Sequence, residues 1–364
     1  MSARAVGSAG VLAVVIALSG CGGSKVGTGA VAPSPSSNPP SSTAAPVPTS
    51  TLSDKGPLTV YSGQHEQTVQ ALVKDFEART GAKVALRSGG EGELANQLLQ
   101  EGKASPADVF YAENPPAISA VGAKKLLAPV DPATLAAVTQ SVSSASGDWV
   151  GVTARSVALV FNTAKVTETA LPASIMDLAS PAWKGKLALA PTETDFQPVV
   201  TAVAKLKGVE AATSWLKGLK ANAKIYDDDE ALVAAVDRGE QTAGLLDHYY
   251  WFRLKDEAPD GKVHSELHYF QPGDAGALIT ISGAGVLAST RHPALAQAFV
   301  AYLVSEPAQR IIAASKSWEY PLRPGVMPAA GLHQFASLTP APLTNAELGD
   351  GSQALDLLKR VGLV

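Results

Sequence analysis

The chain has 364 residues, of which 46 % are hydrophobic and 17 % charged, and its formal net charge is −4. This length is sufficient for one large domain or two medium domains with buried cores. The negative charge and the lack of a basic stripe exclude a nucleic-acid-binding surface.

The first 20 residues match a secretory signal. Val11–Leu18 is an apolar run that is too short to span a bilayer, and Arg4 is the one charged residue before it. The next residues, Leu18-Ser19-Gly20-Cys21, resemble a bacterial lipobox, whose cysteine is lipidated and becomes the first residue of the mature protein. Cys21 is also the chain's single cysteine, which excludes an internal disulfide framework and a cysteine-based zinc site. We therefore expect a signal peptide at 1–20 and an exported protein that is lipid-anchored to the outer face of a membrane.

Residues 21–56 form a segment of low complexity. Six prolines between positions 33 and 48 are interleaved with Ser, Ala and Thr, so this stretch cannot bury an apolar core. Such a composition predicts a disordered or polyproline-like tether that holds the folded part away from the membrane.

The folded part begins near Pro57 with an alternation of strands and helices. Three strands are predicted, at Leu58–Tyr61, Lys83–Leu86 and Ala107–Tyr111. Between them, apolar residues recur at helical spacing over 69–76 and 94–99. This order predicts a mainly parallel α/β sheet, in which ligands bind beyond the carboxyl ends of the strands. His65 and Glu113 lie just past the first and third strands.

The remainder of the chain continues as mixed α/β. Further strands are predicted at 149–152, 157–161, 183–189, 243–246 and 277–281, and helices at 211–219, 231–236, 295–303 and 308–312. Pro191–Phe196 is a strand-to-helix junction, where free backbone N–H groups can hold an anion. In Leu246–Phe252, Tyr249 and Tyr250 are adjacent, which by itself is typical of a strand end capped by aromatics whose hydroxyls reach water.

Taken together, His65, Glu113, Tyr249 and Tyr250 offer one imidazole nitrogen, one carboxylate and two phenolate oxygens. Tyrosine normally titrates at about pH 10, so a phenolate ligand requires a strong Lewis acid. Zinc generally takes Cys, His and carboxylate, and calcium and magnesium prefer carboxylate and carbonyl oxygens. A hard trivalent cation such as Fe³⁺ suits phenolates, which also ligate haem iron. No conventional spacing links the residues, and each taken alone fits an ordinary loop or surface position.

Several segments between about Pro57 and Val326 resemble the bacterial ferric-ion-binding proteins that serve ABC importers. The resemblance covers the opening strand with its ligand histidine, the segment that ends in the ligand glutamate, the tyrosine pair and two later segments, here Leu58–His65, Ser105–Glu113, Tyr249–Trp251, Asp274–Thr280 and Glu319–Leu322. It implies that Fe³⁺ is bound through His65, Glu113, Tyr249 and Tyr250.

The same resemblance implies an α/β fold of the periplasmic-binding-protein class, type II-like, with two lobes, crossing hinge strands and a central ligand cleft. We expect lobe 1 to comprise 57–150 plus about 281–330, and lobe 2 about 151–280 plus 331–364. The implied function is capture of ferric ion between the lobes and delivery to the permease of an ABC transporter. The implied protein is monomeric and is not an enzyme.

The chain departs from the better-known members of that family at one place. Those members hold a phosphate-like synergistic anion with a Ser-Gly-Ala run after Pro-Thr, where this chain has Glu193-Thr194-Asp195. The family's Asn before the tyrosine pair is Asp247 here. Three possibilities follow: no exogenous anion, a carboxylate of Glu193 or Asp195 in its place, or another anion such as carbonate near Arg155, which resembles a basic cleft position. Alternatively, both acids are solvated or cap the helix N-terminus.

Other functions fit parts of the sequence. A binding protein of the same fold for a thiamine-like cation, a polyamine or an oxyanion would use cleft aromatics to stack on its ligand. A visible charge-transfer band on addition of Fe³⁺ distinguishes the two. A lipid-anchored hydrolase has no support, because the sequence contains neither a G-x-S-x-G nor an H-E-x-x-H motif. A purely structural lipoprotein leaves the tyrosine pair unexplained.

Overall fold

The computed structural model describes residues 52–364. The expected signal peptide, Cys21 and residues 22–51 of the expected tether lie outside the described residues. Just before the first strand, Asp54 accepts a 2.6 Å hydrogen bond from the imidazole Nδ1 of His292. Within 52–364, no helix combines the length and the apolar composition that crossing a membrane requires.

Strands and helices alternate along the described part of the chain. The strands are β1 (Leu58–Ser62), β2 (Val84–Ser88), β3 (Val109–Ala112), β4 (Val150–Asn162), β5 (Leu187–Leu189), β6 (Ala223–Ile225), β7 (Ala243–Asp247), β8 (Ser265–His268), β9 (Ile279–Val286) and β10 (Tyr320–Pro321). The helices are α1 (Glu66–Thr80), α2 (Glu91–Glu101), α3 (Pro115–Ala123), α4 (Pro132–Leu135), α5 (Phe196–Lys207), α6 (Val209–Asn222), α7 (Asp229–Asp237), α8 (His248–Glu257), α9 (Pro293–Leu303), α10 (Glu306–Ala313) and α11 (Ser352–Val361).

The strands pair in the order β2-β1-β3-β9-β4-β7-β5-β6, and β8 and β10 pair with β4. The predicted parallel pairing holds at both ends of this order, for β2-β1-β3 and for β7-β5-β6. In the middle, β9 runs antiparallel to β3 and β4, and β4 runs antiparallel to β7. The α/β fold class predicted from the sequence is confirmed.

The longest strand, β4, was predicted as two strands at 149–152 and 157–161. The polar residues between those stretches continue the same strand, and every position from Val150 to Asn162 is buried. Thr153 shows why a polar residue is tolerated there, because its hydroxyl contacts the Ser282 hydroxyl of β9 at 2.5 Å. Arg155 occupies the middle of this buried strand and has no exposed surface.

Two hydrophobic cores lie on either side of that position. The first packs β1, β3, α1 and α9, and it includes β4 up to Ala154 and β9 from Ile281 onward. The second packs α5, α6 and α11, and it includes β4 from Val157 onward. Strand β4 therefore runs from one core to the other, and Leu278, the residue just before β9, belongs to the second core while β9 itself packs in the first. We propose that the two lobes divide along these strands, near the boundaries 57–150 plus 281–330 and 151–280 plus 331–364.

Candidate metal centre

The four residues singled out in the sequence each follow one of three strands, β1, β3 or β7. His65 is the N-cap residue of α1, directly after β1, and Glu113 follows β3. The interpretation of the tyrosine pair as a strand end is wrong, because β7 stops at Asp247 and both tyrosines lie in the first turn of α8. The helical turn still keeps them together, since their ring centroids are 4.2 Å apart.

These side chains meet between the two lobes. The Tyr249 hydroxyl oxygen lies 3.3 Å from Glu113 Oε1, and the same carboxyl oxygen lies 3.6 Å from His65 Nε2. The rings of His65 and Tyr249 pack edge to face with centroids 5.1 Å apart. Under the proposed division of the lobes, His65 and Glu113 lie in lobe 1 and the tyrosine in lobe 2, so this contact spans the cleft.

Asp195 joins the tyrosines to Asn114. Its Oδ2 accepts hydrogen bonds from the hydroxyls of Tyr249 at 2.9 Å and Tyr250 at 3.3 Å, and its Oδ1 accepts from Asn114 Nδ2 at 2.8 Å. Although Asp195 precedes α5, its side chain makes no capping hydrogen bond to that helix, and only 6 % of the residue is exposed. Its carboxylate is therefore neither solvated nor a helix cap. Glu193, two residues earlier, is partly exposed.

Arg155 is a buried cation among three carboxylates. Its Nη2 lies 3.3 Å from Glu113 Oε1 and 3.2 Å from Glu319 Oε1, and its Nε lies 3.9 Å from Asp247 Oδ2. It also donates from Nη1 to the main-chain carbonyl of Glu113. Because the carboxylates come from both lobes, Arg155 links the lobes electrostatically at the strand crossing.

Glu319 was not identified as a site residue from the sequence, although its segment was noted for its family resemblance. Its Oε1 accepts hydrogen bonds from Gln64 Nε2 at 3.1 Å and from the Thr153 hydroxyl at 3.0 Å. Its Oε2 lies 4.0 Å from His65 Nε2, and neither atom has a hydrogen-bond partner among residues 52–364. One signal was available in the sequence: Glu319 is a lone acid between Trp318 and Tyr320, where apolar neighbours indicate burial.

Burial sets the protonation state of this site. It raises the pKa of both Tyr249 and Tyr250 well above the ordinary value, and the negative charge of Asp195 adds to that effect. Burial likewise raises the pKa of Glu113 well above its usual range, although Arg155 opposes the shift. For His65, burial and then the positive charges of Arg253 and Arg155 lower the pKa, so its imidazole is neutral and Nε2 can present a lone pair.

Acidic groups outnumber basic groups in this cleft. Burial also raises the pKa of the remaining acids. It raises the pKa of Asp247 well above its usual range, with Asp195 adding to the rise and Arg155 opposing it. It raises the pKa of Glu193 to about 7, again with help from Asp195. A buried site with this excess of acidic donors favours a cation of high charge over an anion.

His248 is close to the tyrosines but has both ring nitrogens occupied. Nδ1 accepts from the backbone N–H of Ser156 at 3.1 Å, and Nε2 donates to the carbonyl of Trp318 at 2.8 Å. Burial lowers its pKa to about 3, so the ring is neutral. His248 therefore connects α8 to β4 and to the segment before β10, and it offers no lone pair to a metal.

The tyrosine pair adds to the donors that this cleft could offer a metal ion. In the described part of the chain, no three His, Cys, Asp or Glu side chains are grouped so that they alone could hold a metal ion. Tyr249 and Tyr250 complete the set, and donors of this kind, one imidazole with carboxylate and phenolate oxygens, suit a hard cation.

Two lobes joined by crossing strands around a polar cleft define a substrate-binding protein of the periplasmic type. Residues 104–335 match the family described as bacterial extracellular solute-binding protein. The chain belongs to this family, and the family resemblance inferred from the sequence is confirmed.

Relatives within the family have names that refer to iron. The Fe(3+)-binding periplasmic protein of Serratia marcescens is 40 % identical over 311 residues, which cover 85 % of this chain and 91 % of that protein. The major ferric iron-binding protein of Neisseria meningitidis serogroup A is 39 % identical over 309 residues, covering 84 % and 93 %. The crystal structure of iron-bound HitA from Pseudomonas aeruginosa superposes with a TM-score of 0.80 at 46 % identity, covering 84 % of this chain and 99 % of HitA.

Proposed function

We propose that this protein binds ferric ion outside the cytoplasm and delivers it to an ABC importer, with His65, Glu113, Tyr249 and Tyr250 as metal ligands. The observation that carries the proposal is the contact of Tyr249, one of two adjacent phenols, with the Glu113 carboxyl group and the neutral His65 imidazole across the cleft. The identity to proteins named for Fe³⁺ binding supports the choice of metal. Under this proposal the protein is a carrier and performs no catalysis.

The proposed action is capture by closure. In the open form, lobe 1 presents His65 and Glu113 and lobe 2 presents the tyrosine pair. A cation that binds both sets stabilises the closed form relative to the open one. Each phenol gives up its proton as it binds, since the neutral phenol is a poor ligand. The closed form then docks on the permease as a monomer held at the membrane through the lipid on Cys21.

The faces of the tyrosine rings argue against an organic cation as the ligand. Tyr249 packs against Tyr250 on one side, and the Arg253 guanidinium lies 4.5 Å from its ring centroid and 5.8 Å from that of Tyr250. A thiamine-like or polyamine ligand needs a free aromatic face, and it would also meet the positive charge of Arg253. Only 1 % of Tyr249 and 7 % of Tyr250 is exposed.

Titration of the purified protein with ferric citrate tests the proposed function. We expect a broad visible absorption band from tyrosinate-to-Fe³⁺ charge transfer that saturates near one iron per chain. Zinc is the control, because Zn²⁺ has a filled d shell and gives no such band with phenolates. A protein that binds no iron, or binds it without the band, contradicts the proposal.

We further expect Glu319→Gln to weaken ferric binding about 10–100-fold, as is usual for residues that support a metal ligand. The amide can still accept from Gln64 and Thr153, but its N–H group turns a donor toward His65 Nε2 and competes with the metal for that lone pair. Affinity is measured by competition with citrate, and stability by thermal melting. Glu101→Gln is the matched control, since Glu101 is a partly buried acid of the same lobe that bonds Gln97 and Ser105 away from the cleft. Unchanged affinity in Glu319→Gln contradicts this role.

A further inference from the structure

The carboxylate of Asp195 is held in one orientation by three donors. Asn114 Nδ2 donates a hydrogen bond to Asp195 Oδ1 at 2.8 Å, and this leaves Asp195 Oδ2 directed at the tyrosines. The two phenols then donate to the same oxygen, at 2.9 Å from Tyr249 and 3.3 Å from Tyr250. Asn114 is itself fixed, since its side chain and backbone N–H both donate to Glu91. The arrangement places a single carboxylate oxygen between two proposed metal ligands.

The spacing of the donor atoms is that of neighbouring ligands around one small cation. Ligands at about 2.0–2.1 Å from an octahedral ion are about 2.9 Å apart when they lie at right angles. Asp195 Oδ2 lies 2.9 Å and 3.3 Å from the two phenol oxygens, Glu113 Oε1 lies 3.3 Å from the Tyr249 oxygen, and His65 Nε2 lies 3.6 Å from Glu113 Oε1. Shifts of up to about 0.7 Å, the largest between His65 and Glu113, bring these atoms to the distances of a coordination shell.

A second observation points independently to the same place. The buried Oε2 of Glu319, whose residue is 1 % exposed, faces His65 Nε2 at 4.0 Å, and within the described residues both atoms lack hydrogen-bond partners. Unpartnered buried polar atoms are costly, so their convergence indicates that a ligand completes the site.

Metal binding changes what Asp195 contacts. When the phenols bind a cation they lose their protons, and Oδ2 loses both of the hydrogen bonds that hold it there. A buried carboxylate about 3 Å from two phenolates is strongly repelled unless a cation lies between them. Direct coordination of the same cation removes that repulsion, and Asn114 can keep its hydrogen bond to Oδ1 throughout.

We propose that Asp195 is a fifth protein ligand to the ferric ion, so that this carrier holds its metal without an exogenous anion. The proposal rests on the ferric function proposed above. Three carboxylate and phenolate ligands balance the charge of Fe³⁺, and Asp195 brings one further negative charge. The Arg155 guanidinium, whose Nη2 lies 3.3 Å from Glu113 Oε1, compensates for that additional charge. One octahedral position is then left for water.

The test compares Asp195→Asn with Glu193→Gln in phosphate-free buffer purged of carbonate, with iron supplied as ferrous chloride and oxidised by oxygen. Glu193 is the matched control because it is an acid of the same turn that is partly exposed. In the unaltered protein we expect the visible band to form without added anion and to keep its wavelength when phosphate or carbonate is added. In Asp195→Asn we expect it to form only with added phosphate or carbonate, at a wavelength that differs between the two anions. Glu193→Gln is expected to behave as the unaltered protein.

The outcomes separate the two proposals. If the unaltered protein needs an added anion, or if Asp195→Asn gives the same band as the unaltered protein without one, Asp195 is not a ligand and the ferric function stands. If no band forms in the unaltered protein with any anion, the ferric function itself fails. Should Asp195→Asn not fold, a requirement of the unaltered protein for an added anion would still overturn the Asp195 proposal, because that measurement requires no substitution.

Discussion

Replacing Tyr249 and Tyr250 together by phenylalanine is expected to remove the visible band and to weaken ferric binding by more than about 100-fold, since changes to supporting residues alone cost 10–100-fold. The phenolates are the source of the charge-transfer transition and supply two of the negative charges that balance Fe³⁺. Phenylalanine fills the same volume, so packing against His65 and Arg253 is retained. The measurement is a ferric citrate titration followed by absorbance and by bound iron.

Tyr302→Phe provides the control for this double substitution. Tyr302 is fully buried as well, but its hydroxyl donates to Asp75 at 2.7 Å in the core of lobe 1. We expect it to bind iron with the unaltered band. Persistence of the band in the double variant, with normal folding by circular dichroism, would rule out tyrosinate ligation.

Replacing Arg155 by leucine is expected to destabilise the protein by about 3–5 kcal/mol, the usual cost of removing one member of a buried ion pair. Arg155 has no exposed surface and is the cation beside Glu113, Glu319 and Asp247. Without it, these acids must be held uncharged or face each other as unpaired charges in a medium of low dielectric constant. Urea unfolding of the metal-free protein measures the loss.

Arg310→Leu serves as the comparison for the arginine substitution. Arg310 pairs with Glu306 at 2.7 Å, yet its side chain is 66 % exposed, and such surface pairs contribute about 0–1 kcal/mol. We expect its unfolding midpoint to stay close to that of the unaltered protein. If Arg155→Leu were equally stable, the three carboxylates would not depend on that cation in the folded state.

Local patterns were enough to predict the first half of the sheet. The run β1-α1-β2-α2-β3 follows from apolar periodicity, and Gly81 terminates α1 in the left-handed conformation expected of it (φ 68°). His65 and Glu113 were placed correctly because a parallel sheet brings the ends of neighbouring strands together. The middle of the chain was harder, since the polar residues of β4 are buried through contacts with β9 and with the other lobe, and these are distant in sequence.

The candidate site shows the same limit of local information. Asp195 in a Pro-Thr-Glu-Thr-Asp junction has the pattern of a helix cap. Its actual partners are Asn114, 81 residues earlier and just before α3, and the two tyrosines of α8, 54 and 55 residues later. Glu319 bonds Gln64 across 255 residues. The direction of such a side chain is decided by how the lobes pack, which no short stretch encodes.

Polar contacts also join the two lobes without any metal, because Asn114 donates to Asp195 and the Tyr249 hydroxyl oxygen lies 3.3 Å from Glu113 Oε1. An empty carrier can therefore close on itself and present to its importer much the same outline as a full one. A hydrogen bond contributes about 0.5–1.5 kcal/mol, or about 1.5–3 kcal/mol where one partner is charged, which is far less than ligation of a trivalent ion, so the empty form reopens much sooner. The importer can then distinguish the iron-loaded carrier from the empty one by the lifetime of the closed form rather than by its shape.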